Sequence, residues 1–125
     1  MVAFSRAALA AAANQHEVTL TTTGRASGKP HEVTIWIATD GEKVYIRSGG
    51  GMERDWPQNL VAKGEGTIDL GGESIRVKPR HLTDPEEARR TSRLAADKYG
   101  SYVKPSEPDE PLTKGETAAF ELIPI

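Results

Sequence analysis

Two glycine-containing dipeptides, Asp40-Gly41 and Gly71-Gly72, are each flanked on both sides by short segments rich in β-branched and apolar residues. Such dipeptides are typical of hairpin turns, because glycine adopts positive φ without steric cost. Two of them in one short chain predict two antiparallel hairpins and a fold built mainly from β-strands. The flanking strands are expected at 31–39 and 42–48 around the first turn, and at 67–70 and 73–80 around the second.

The rest of the chain predicts two more strands and three helices. Ser5 is the expected N-cap of the first helix, and Gly64 is expected to end the second. The stretch 104–115 contains three prolines and is expected to be a loop. The strands are expected at 16–23 and 117–123, and the helices at 6–13, 53–63 and 85–100.

Apolar residues on both faces of one predicted strand favour a closed barrel. Val33, Ile35 and Ile37 alternate with Trp36 and Ala38, so neither face of this strand suits contact with water. A sheet covered on both sides is accommodated when it curls into a small barrel. The 125 residues have the size of a single domain. We therefore expect one domain over residues 1–125, mainly β with helices, whose barrel has six antiparallel strands.

Charge balance and the lack of cysteine exclude several kinds of site. The sequence has 16 Lys and Arg, 18 Asp and Glu, and no Cys, which excludes thiol catalysis and metal or iron–sulfur sites built on cysteine. A nearly balanced charge provides no global attraction to nucleic acid or to an anionic membrane. The apolar stretch 7–13 is too short for a membrane span. We therefore expect a cytoplasmic protein.

The turn 24–29, Gly-Arg-Ala-Ser-Gly-Lys, is the first candidate for an anion site. It is not a nucleotide-binding P-loop, because its glycines are one residue too close and Pro30 replaces the Ser or Thr that would bind magnesium. It nevertheless offers backbone N–H groups, a hydroxyl and permanent charges from Arg25, Ser27 and Lys29, with His31 nearby. The alternative is a solvated loop whose charges only favour solubility.

Segment 48–54, Ser-Gly-Gly-Gly-Met-Glu-Arg, is the second candidate and precedes a predicted helix. Three glycines allow the backbone to approach a ligand closely, and a helix N-terminus favours a phosphate or a carboxylate. The alternative is a flexible connection between a strand and a helix.

Aromatic residues and histidines give no catalytic assignment on their own. A tryptophan on a strand or at helical spacing belongs more often to a core or an interface than to a cofactor site. The histidines at positions 16, 31 and 81 show no metal-ligand spacing with acidic residues, so we expect no metal site. The aromatic candidates are Trp36, Tyr45, Trp56, Tyr99 and Tyr102.

Several motifs follow one another in a fixed order along the chain. Residues 20–30 contain Thr-Thr-Gly-Arg-x-Ser-Gly, and a Trp-containing strand, Asp-Gly, Val-Tyr-Ile-Arg-Ser-Gly-Gly-Gly and Asp-Trp-Pro-Gln-Asn-Leu follow. Together these segments resemble the deazaflavin-dependent nitroreductase family. That family belongs to the wider flavin-binding split β-barrel superfamily, which includes relatives of pyridoxamine-phosphate oxidase. The likeness extends through the second hairpin and includes the placement of the last strand.

The resemblance implies a split β-barrel whose groove holds coenzyme F-420, or in other branches FMN or heme. The phosphate-bearing tail would lie near the turn 24–29, and the ring would lie beside the strand that contains Trp36. The cofactor-binding residues would be Arg25, Ser27, Lys29 and His31 near the tail, Thr34, Ile35, Trp36, Ser48 and Gly49 along the ring, and Trp56 and Asn59 on the helix.

The chain departs from the family pattern near the tail site. Ala26 stands where a second basic residue is usual, His31 where Arg is frequent, and Thr34 where Pro is common. The tail site therefore has fewer permanent positive charges than the family pattern. Other residues that could supply the missing charge are Lys29, Arg47 and Arg54.

The resemblance implies hydride transfer from reduced F-420 to a small electrophile such as a quinone or a nitroaromatic compound, as in a nitroreductase or quinone reductase. Tyr45, Tyr99 or Tyr102 could donate a proton, but no catalytic residue is assigned. The alternatives are an FMN-dependent oxidoreductase, a non-catalytic barrel that binds flavin, heme or lipid, and a structural protein without cofactor. The expected partners are the cofactor and a small substrate, and a homodimer is one option for assembly.

Overall fold

The computed structural model describes residues 3–125, which form one curled antiparallel sheet with helices packed against it. Short 3-10 turns occupy Gly51–Glu53 and Gly100–Tyr102. The elements in chain order are α1 (Arg6–Asn14), β1 (Val18–Thr23), β2 (Pro30–Ile35), β3 (Ile37–Thr39), β4 (Val44–Arg47), α2 (Asp55–Lys63), β5 (Gly66–Leu70), β6 (Glu73–His81), α3 (Pro85–Tyr99), α4 (Lys114–Thr117) and β7 (Ala119–Pro124). Within this described part, the longest helix has 15 residues, and none has the length and apolar character to cross a membrane.

Trp36 alone separates the two edge strands of the sheet. The strand order is β2-β1-β5-β6-β7-β4-β3, so β2 and β3 are opposite edges although they are consecutive in sequence. The sheet must curl until these edges approach each other, which produces a half-barrel with an open seam. The mainly β, antiparallel split-barrel class expected from the sequence is thereby confirmed.

The number of strands is seven instead of six, because the predicted strand 31–39 is broken. Residues before Trp36 pair with β1, whereas residues after it pair with β4 on the opposite edge. One continuous strand cannot occupy both edges of the sheet, so the chain leaves the ladder at Trp36.

Both predicted hairpins are confirmed. The β5–β6 turn is the expected two-residue turn, in which Gly71 and Gly72 have φ of 60° and 82°. The β3–β4 loop has four residues, because Thr39 pairs with Val44. Oδ1 of Asp40 closes this loop by accepting hydrogen bonds from two of its backbone N–H groups at 2.9 and 2.8 Å.

The three predicted helices are confirmed as α1, α2 and α3. Ser5 caps α1, since its Oγ accepts a hydrogen bond from the N–H of Ala8 at 3.1 Å. Gly64 ends α2 in the left-handed region with φ 71°. Asp84 caps α3 in the same way as Ser5, accepting from the N–H of Glu87 at 3.1 Å.

Helix α4 corrects the prediction of a loop over 104–115 and a strand from 117. Thr113 Oγ1 accepts from the N–H of Glu116 at 3.2 Å, and the Glu116 carboxylate accepts from the N–H of Thr113 at 3.0 Å. This reciprocal capping box stabilises one helical turn before the chain enters β7.

Strand β4 separates two environments, as the alternation of its residues predicts. Val44 and Ile46 face the inside of the half-barrel and join the main core with Phe120. Complete burial of each such side chain stabilises the fold by about 1.5–3 kcal/mol. Tyr45 faces the other side and packs against residues of α3 and β7. Arg47 follows it at the end of the strand, where the seam opens.

Candidate functional site

The open seam of the sheet leads into a groove made of two continuous clefts. The aromatic cleft has a volume of about 500 Å³ and lies between β2, the end of β4 and α3. The turn cleft has a volume of about 630 Å³ and lies between the turn 24–29 and the start of α2. Val33, Arg54 and Trp56 line both. The aromatic cleft is defined here by Ile35, Trp36, Arg47, Ser48, Tyr99 and Tyr102, and the turn cleft by Thr22, Arg25, Ser27, His31 and Asn59.

The groove brings together ten of the eleven residues expected to contact a cofactor. Lys29 is exposed and lines neither cleft. Trp56 is shared between the two clefts. The other predicted residues are Thr34, Ile35, Trp36, Ser48 and Gly49 in the aromatic cleft, and Arg25, Ser27, His31 and Asn59 in the turn cleft.

The turn 24–29 is closed by its own hydrogen bonds. The N–H of Gly24 donates to the carbonyl of Lys29 at 2.8 Å, and Ser27 Oγ accepts from the N–H of Lys29 at 3.2 Å. Ser27 Oγ also lies 3.4 Å from Nε2 of His31. Gly24 is buried, and a side chain there would collide with Ser27 and His31. The turn therefore has a defined shape that presents a hydroxyl and an imidazole to the cleft.

Arg25 is held against α2 by the buried side chain of Asn59. Its backbone N–H and its Nη1 both donate to Asn59 Oδ1, at 3.1 and 2.7 Å. Its Nη2 lies 3.4 Å from Asp55, whose carboxylate is 87% exposed. An exposed ion pair of this kind is weak. The positive charge of Arg25 is therefore only weakly neutralised, and Asn59 fixes its position at the cleft.

Segment 48–54 differs from the predicted helix start. It contains a 3-10 turn, and α2 begins only at Asp55, with Arg54 as an N-cap residue that makes no side-chain capping bond. The Arg54 side chain folds over Gly50, where an added Cβ would collide with it. Within residues 3–125 no carboxylate forms an ion pair with Arg54. Its positive charge therefore lies without a partner at the junction of the two clefts.

Arg47 lines the aromatic cleft, and its guanidinium lies directly against Gly115 of α4. Its Nε is buried and has no hydrogen-bond partner in the described part of the chain. Burial lowers the pKa of Arg47, and the negative charge of Glu116 opposes that shift. Burial raises the pKa of Glu116 in turn, but hydrogen bonds from Ser106 and Thr113 outweigh it and hold that pKa below its ordinary value.

Thr22 is a cleft residue that the sequence analysis missed. It is 1% exposed, lines the turn cleft, and its Oγ1 has no hydrogen-bond partner among the described residues. Val18, Leu20 and Thr22 are the buried positions of β1. The alternation of buried and partly exposed residues in β1 therefore places the Thr22 hydroxyl on the inward face. This alternation can be recognised in the sequence.

Aromatic rings form one wall of the aromatic cleft. Trp36 stacks on Tyr99 with ring centroids 4.2 Å apart, and Tyr102 meets Trp36 edge to face at 6.1 Å. His16 packs on the same pair, with its ring 5.7 Å from Trp36. The other two histidines lie elsewhere, one in the turn cleft and one, His81, stacked on Phe120.

The three tyrosines considered as proton donors differ in their surroundings. Tyr99 Oη accepts from the N–H of Ile37 at 3.1 Å and donates toward the carbonyl of His16 at 2.8 Å. Burial raises the pKa of Tyr99, and its hydroxyl proton is used in the hydrogen bond to the carbonyl of His16. Tyr45 is buried and its hydroxyl accepts from Arg90. Tyr102 is 83% exposed at the mouth of the aromatic cleft.

Comparison with solved structures supports the fold at low sequence identity. An F-420-H2-dependent reductase (FDR-A) is 24% identical, with 86% of this chain and 94% of that chain covered and a TM-score of 0.64. A Listeria innocua protein provisionally assigned as a pyridoxamine 5'-phosphate oxidase is 14% identical, with coverage of 93% and 89% and a TM-score of 0.66. A structure described as a domain-swapped dimer is 23% identical, with coverage of 86% and 80% and a TM-score of 0.64.

These structures share the curled antiparallel sheet of this chain, so the likeness shows the fold. At the level of sequence, a bacterial family matches residues 8–119, which is nearly the whole chain. The match includes both hairpins and every residue lining the groove. The chain belongs to the family described as uncharacterized protein conserved in bacteria (DUF2255).

Proposed function

We propose that this protein is an oxidoreductase that transfers a hydride between reduced coenzyme F-420 and a small electrophile such as a quinone or a nitroaromatic compound. The observation that carries the proposal is the division of one groove into an aromatic cleft and a turn cleft. A molecule with a planar redox ring and an anionic tail has the same two parts. The F-420-H2-dependent reductase with a similar fold supports this choice.

The residues present fit such a cofactor at two places. Among residues 3–125, Thr22 Oγ1 is a buried hydroxyl without a partner in the turn cleft, and a ligand oxygen there would satisfy it. In the same described part of the chain, Arg54 contributes a guanidinium without an ion pair at the junction of the clefts. Arg25, Ser27 and His31 complete the expected tail site, and Asn59 positions Arg25. Lys29 is the member of the proposed set with the weakest support, because it lines neither cleft.

In the aromatic cleft the protein supplies orientation and exclusion of water. Ile35 and Trp36 offer apolar surface to one side of a ring, and Ser48 and Gly49 approach from β4. A bound reduced cofactor would supply a hydride to an electrophilic atom of the acceptor, which would take one further proton. The exposed hydroxyl of Tyr102 at the cleft mouth connects that acceptor with solvent protons.

A parallel fluorescence titration with F-420 and FMN tests the proposal, followed by the addition of menadione to whichever reduced form binds. We expect saturable binding of F-420 and its reoxidation by menadione only in the presence of the protein. Absence of binding by both cofactors would contradict the assignment. Binding without turnover would identify a non-catalytic carrier.

FMN is the second candidate, and the small number of cations in the turn cleft favours it. Ala26 provides no charge, and Lys29 lies outside both clefts. One phosphate requires fewer cations than a phosphate followed by a glutamate tail. Tighter binding of FMN than of F-420 in the same titration would select this alternative.

A further inference from the structure

The guanidinium of Arg47 lies partly inside the protein and forms no direct ion pair among residues 3–125. It lines the aromatic cleft, its Nε is buried without a partner, and no ion pair with a carboxylate occurs within residues 3–125. Removing a cation from water is costly unless an opposite charge and hydrogen bonds replace the lost hydration. The guanidinium of Arg47 therefore needs a group that accepts hydrogen bonds from it.

The negative charge of Glu116 acts on Arg47 at a distance, and its carboxylate forms no hydrogen bond with the Arg47 N–H groups. This carboxylate is fully buried, and it accepts hydrogen bonds from the N–H of Ser106 at 3.1 Å and from that of Thr113 at 3.0 Å. Its negative charge favours the protonated guanidinium at longer range. The Nη groups of Arg47, which form no hydrogen bond among the described residues, consequently remain available to a molecule in the cleft.

The backbone is shaped to hold the guanidinium where it lies. An added Cβ at Gly115 would collide with its Nη2, Cζ and Nε, so only glycine permits this position. Gly115 is in α4, and the capping box of Thr113 and Glu116 keeps that helical turn in place. The position of the Arg47 guanidinium therefore depends on the absence of a side chain at Gly115.

We propose that Arg47 is the receptor for an anionic group on the electron acceptor, and that the acceptor is a flat apolar molecule with one carboxylate. The aromatic cleft that Arg47 lines has apolar surface from Trp36, Ile35 and Ala95. They suit a planar body, and a carboxylate accepts two parallel hydrogen bonds from a guanidinium. The role as acceptor rests on the proposed oxidoreductase function, whereas binding of the anion does not.

This site is separate from the proposed tail site. Arg25 lines only the turn cleft, Arg54 lines both clefts, and Arg47 lines only the aromatic cleft. We therefore place Arg47 with the acceptor and not with the missing tail charge for which the sequence suggested it.

The test compares 4-nitrobenzoate with 4-nitrobenzamide, which have nearly the same shape and differ in charge. Quenching of the fluorescence of Trp36 and Trp56, which line the cleft, reports binding to the protein without any cofactor. We expect the wild type to prefer the carboxylate by about tenfold to a hundredfold, as for a hydrogen bond to a charged group. Arg47→Met should abolish this preference, and Arg47→Lys should retain part of it.

Two further variants keep the result decisive. Gly115→Ala retains the positive charge but displaces the guanidinium, so it should also reduce the preference. Arg76→Met removes the same charge from an exposed position on β6 and should leave the preference unchanged. Thermal unfolding followed by circular dichroism verifies that each variant is folded.

Equal binding of the two probes to the wild type, or an undiminished preference in both Arg47→Met and Gly115→Ala, would overturn the proposal. A parallel titration with F-420 and FMN separates it from the proposed function. If Arg47→Met loses cofactor affinity as strongly as the preference, Arg47 belongs to the cofactor site and the proposal is wrong. If the wild type prefers the carboxylate but binds no cofactor, the anion site stands and the oxidoreductase assignment fails.

Discussion

The indole ring of Trp36 lies parallel to the phenol ring of Tyr99, with ring centroids 4.2 Å apart and an angle of 7° between the planes. Trp36 is the single residue between the two edge strands, and Tyr99 is the last residue of α3. Stacked aromatic rings attract each other beyond the burial of their surface. The pair therefore fixes the end of α3 to the point where the sheet is open.

Tyr99→Phe should destabilise the protein while preserving the stacked pair. The substitution leaves the N–H of Ile37 and the carbonyl of His16 without their partner. Loss of a buried hydrogen bond of this kind costs about 1–3 kcal/mol. Urea unfolding measures the difference. Tyr102→Phe is the matched control, because that hydroxyl is exposed, and equal losses in both variants would contradict the role of the Tyr99 hydroxyl.

Lys98→Met should loosen α1. The Nζ of Lys98 donates to the carbonyls of Ala12, Gln15 and Ile37 at 2.8, 2.6 and 2.9 Å, so one ammonium ties the end of α1 to β3. Burial lowers the pKa of Lys98. We expect a loss of about 1–3 kcal/mol in the free energy of unfolding and faster amide hydrogen exchange in α1. The exposed Lys104→Met should show neither effect.

Arg25→Ala should weaken cofactor binding by about 1–3 kcal/mol if this residue makes a charge-assisted contact with the tail. Lys29→Ala removes an equal charge four residues away but outside both clefts, and should have a smaller effect. The fluorescence titration with F-420 and FMN provides both numbers. Unchanged affinity in Arg25→Ala, or a larger loss in Lys29→Ala, would remove Arg25 from the tail site.

Glu116→Gln should change how stability depends on pH. Burial raises the pKa of Glu116, but the hydrogen bonds it accepts lower it more, so the folded pKa lies below the ordinary value of 4.5. A carboxyl group with a depressed folded pKa contributes stability above its unfolded pKa, and that contribution is lost as pH falls through the folded value. The variant should therefore be less stable than wild type at pH 7, and the difference should shrink under acid conditions.

Urea unfolding at several pH values between neutral and acid measures this difference. Glu42→Gln, at an exposed position of the β3–β4 loop, serves as the control and should follow the wild type. A difference between Glu116→Gln and wild type that stays constant with pH would show that the titration of Glu116 is not its origin.

Features that depend on neighbouring residues could be predicted from the sequence. Gly71-Gly72 specifies its turn, and Ser5 caps its helix, because the required partners lie within three residues. Helix α4 was missed although its signal, Thr113 followed three positions later by Glu116, is local and readable. The three prolines of the preceding stretch favoured a loop instead.

Features that depend on distant residues could not be predicted in the same way. The break at Trp36 follows from which strands pair at each edge, and no local pattern specifies that pairing. The hydrogen bond between Arg25 and Asn59 joins residues 34 positions apart. The position of the Arg47 guanidinium depends on Gly115, which belongs to another element. Ten of the eleven residues implied by the family resemblance line the groove, but the resemblance contained no information on how the charges there are balanced.

Because Trp36 alone connects the two edge strands, the shape of the groove can vary little on the strand side. Lengthening it would alter the pairing of β2 with β1 or of β3 with β4, so the aperture on the strand side has little freedom to widen. The opposite rim comes from Tyr99, Tyr102 and Val103, in the last turn of α3 and the residues after it. Relatives that accept bulkier or differently shaped molecules should therefore differ mainly along that rim while retaining the same barrel.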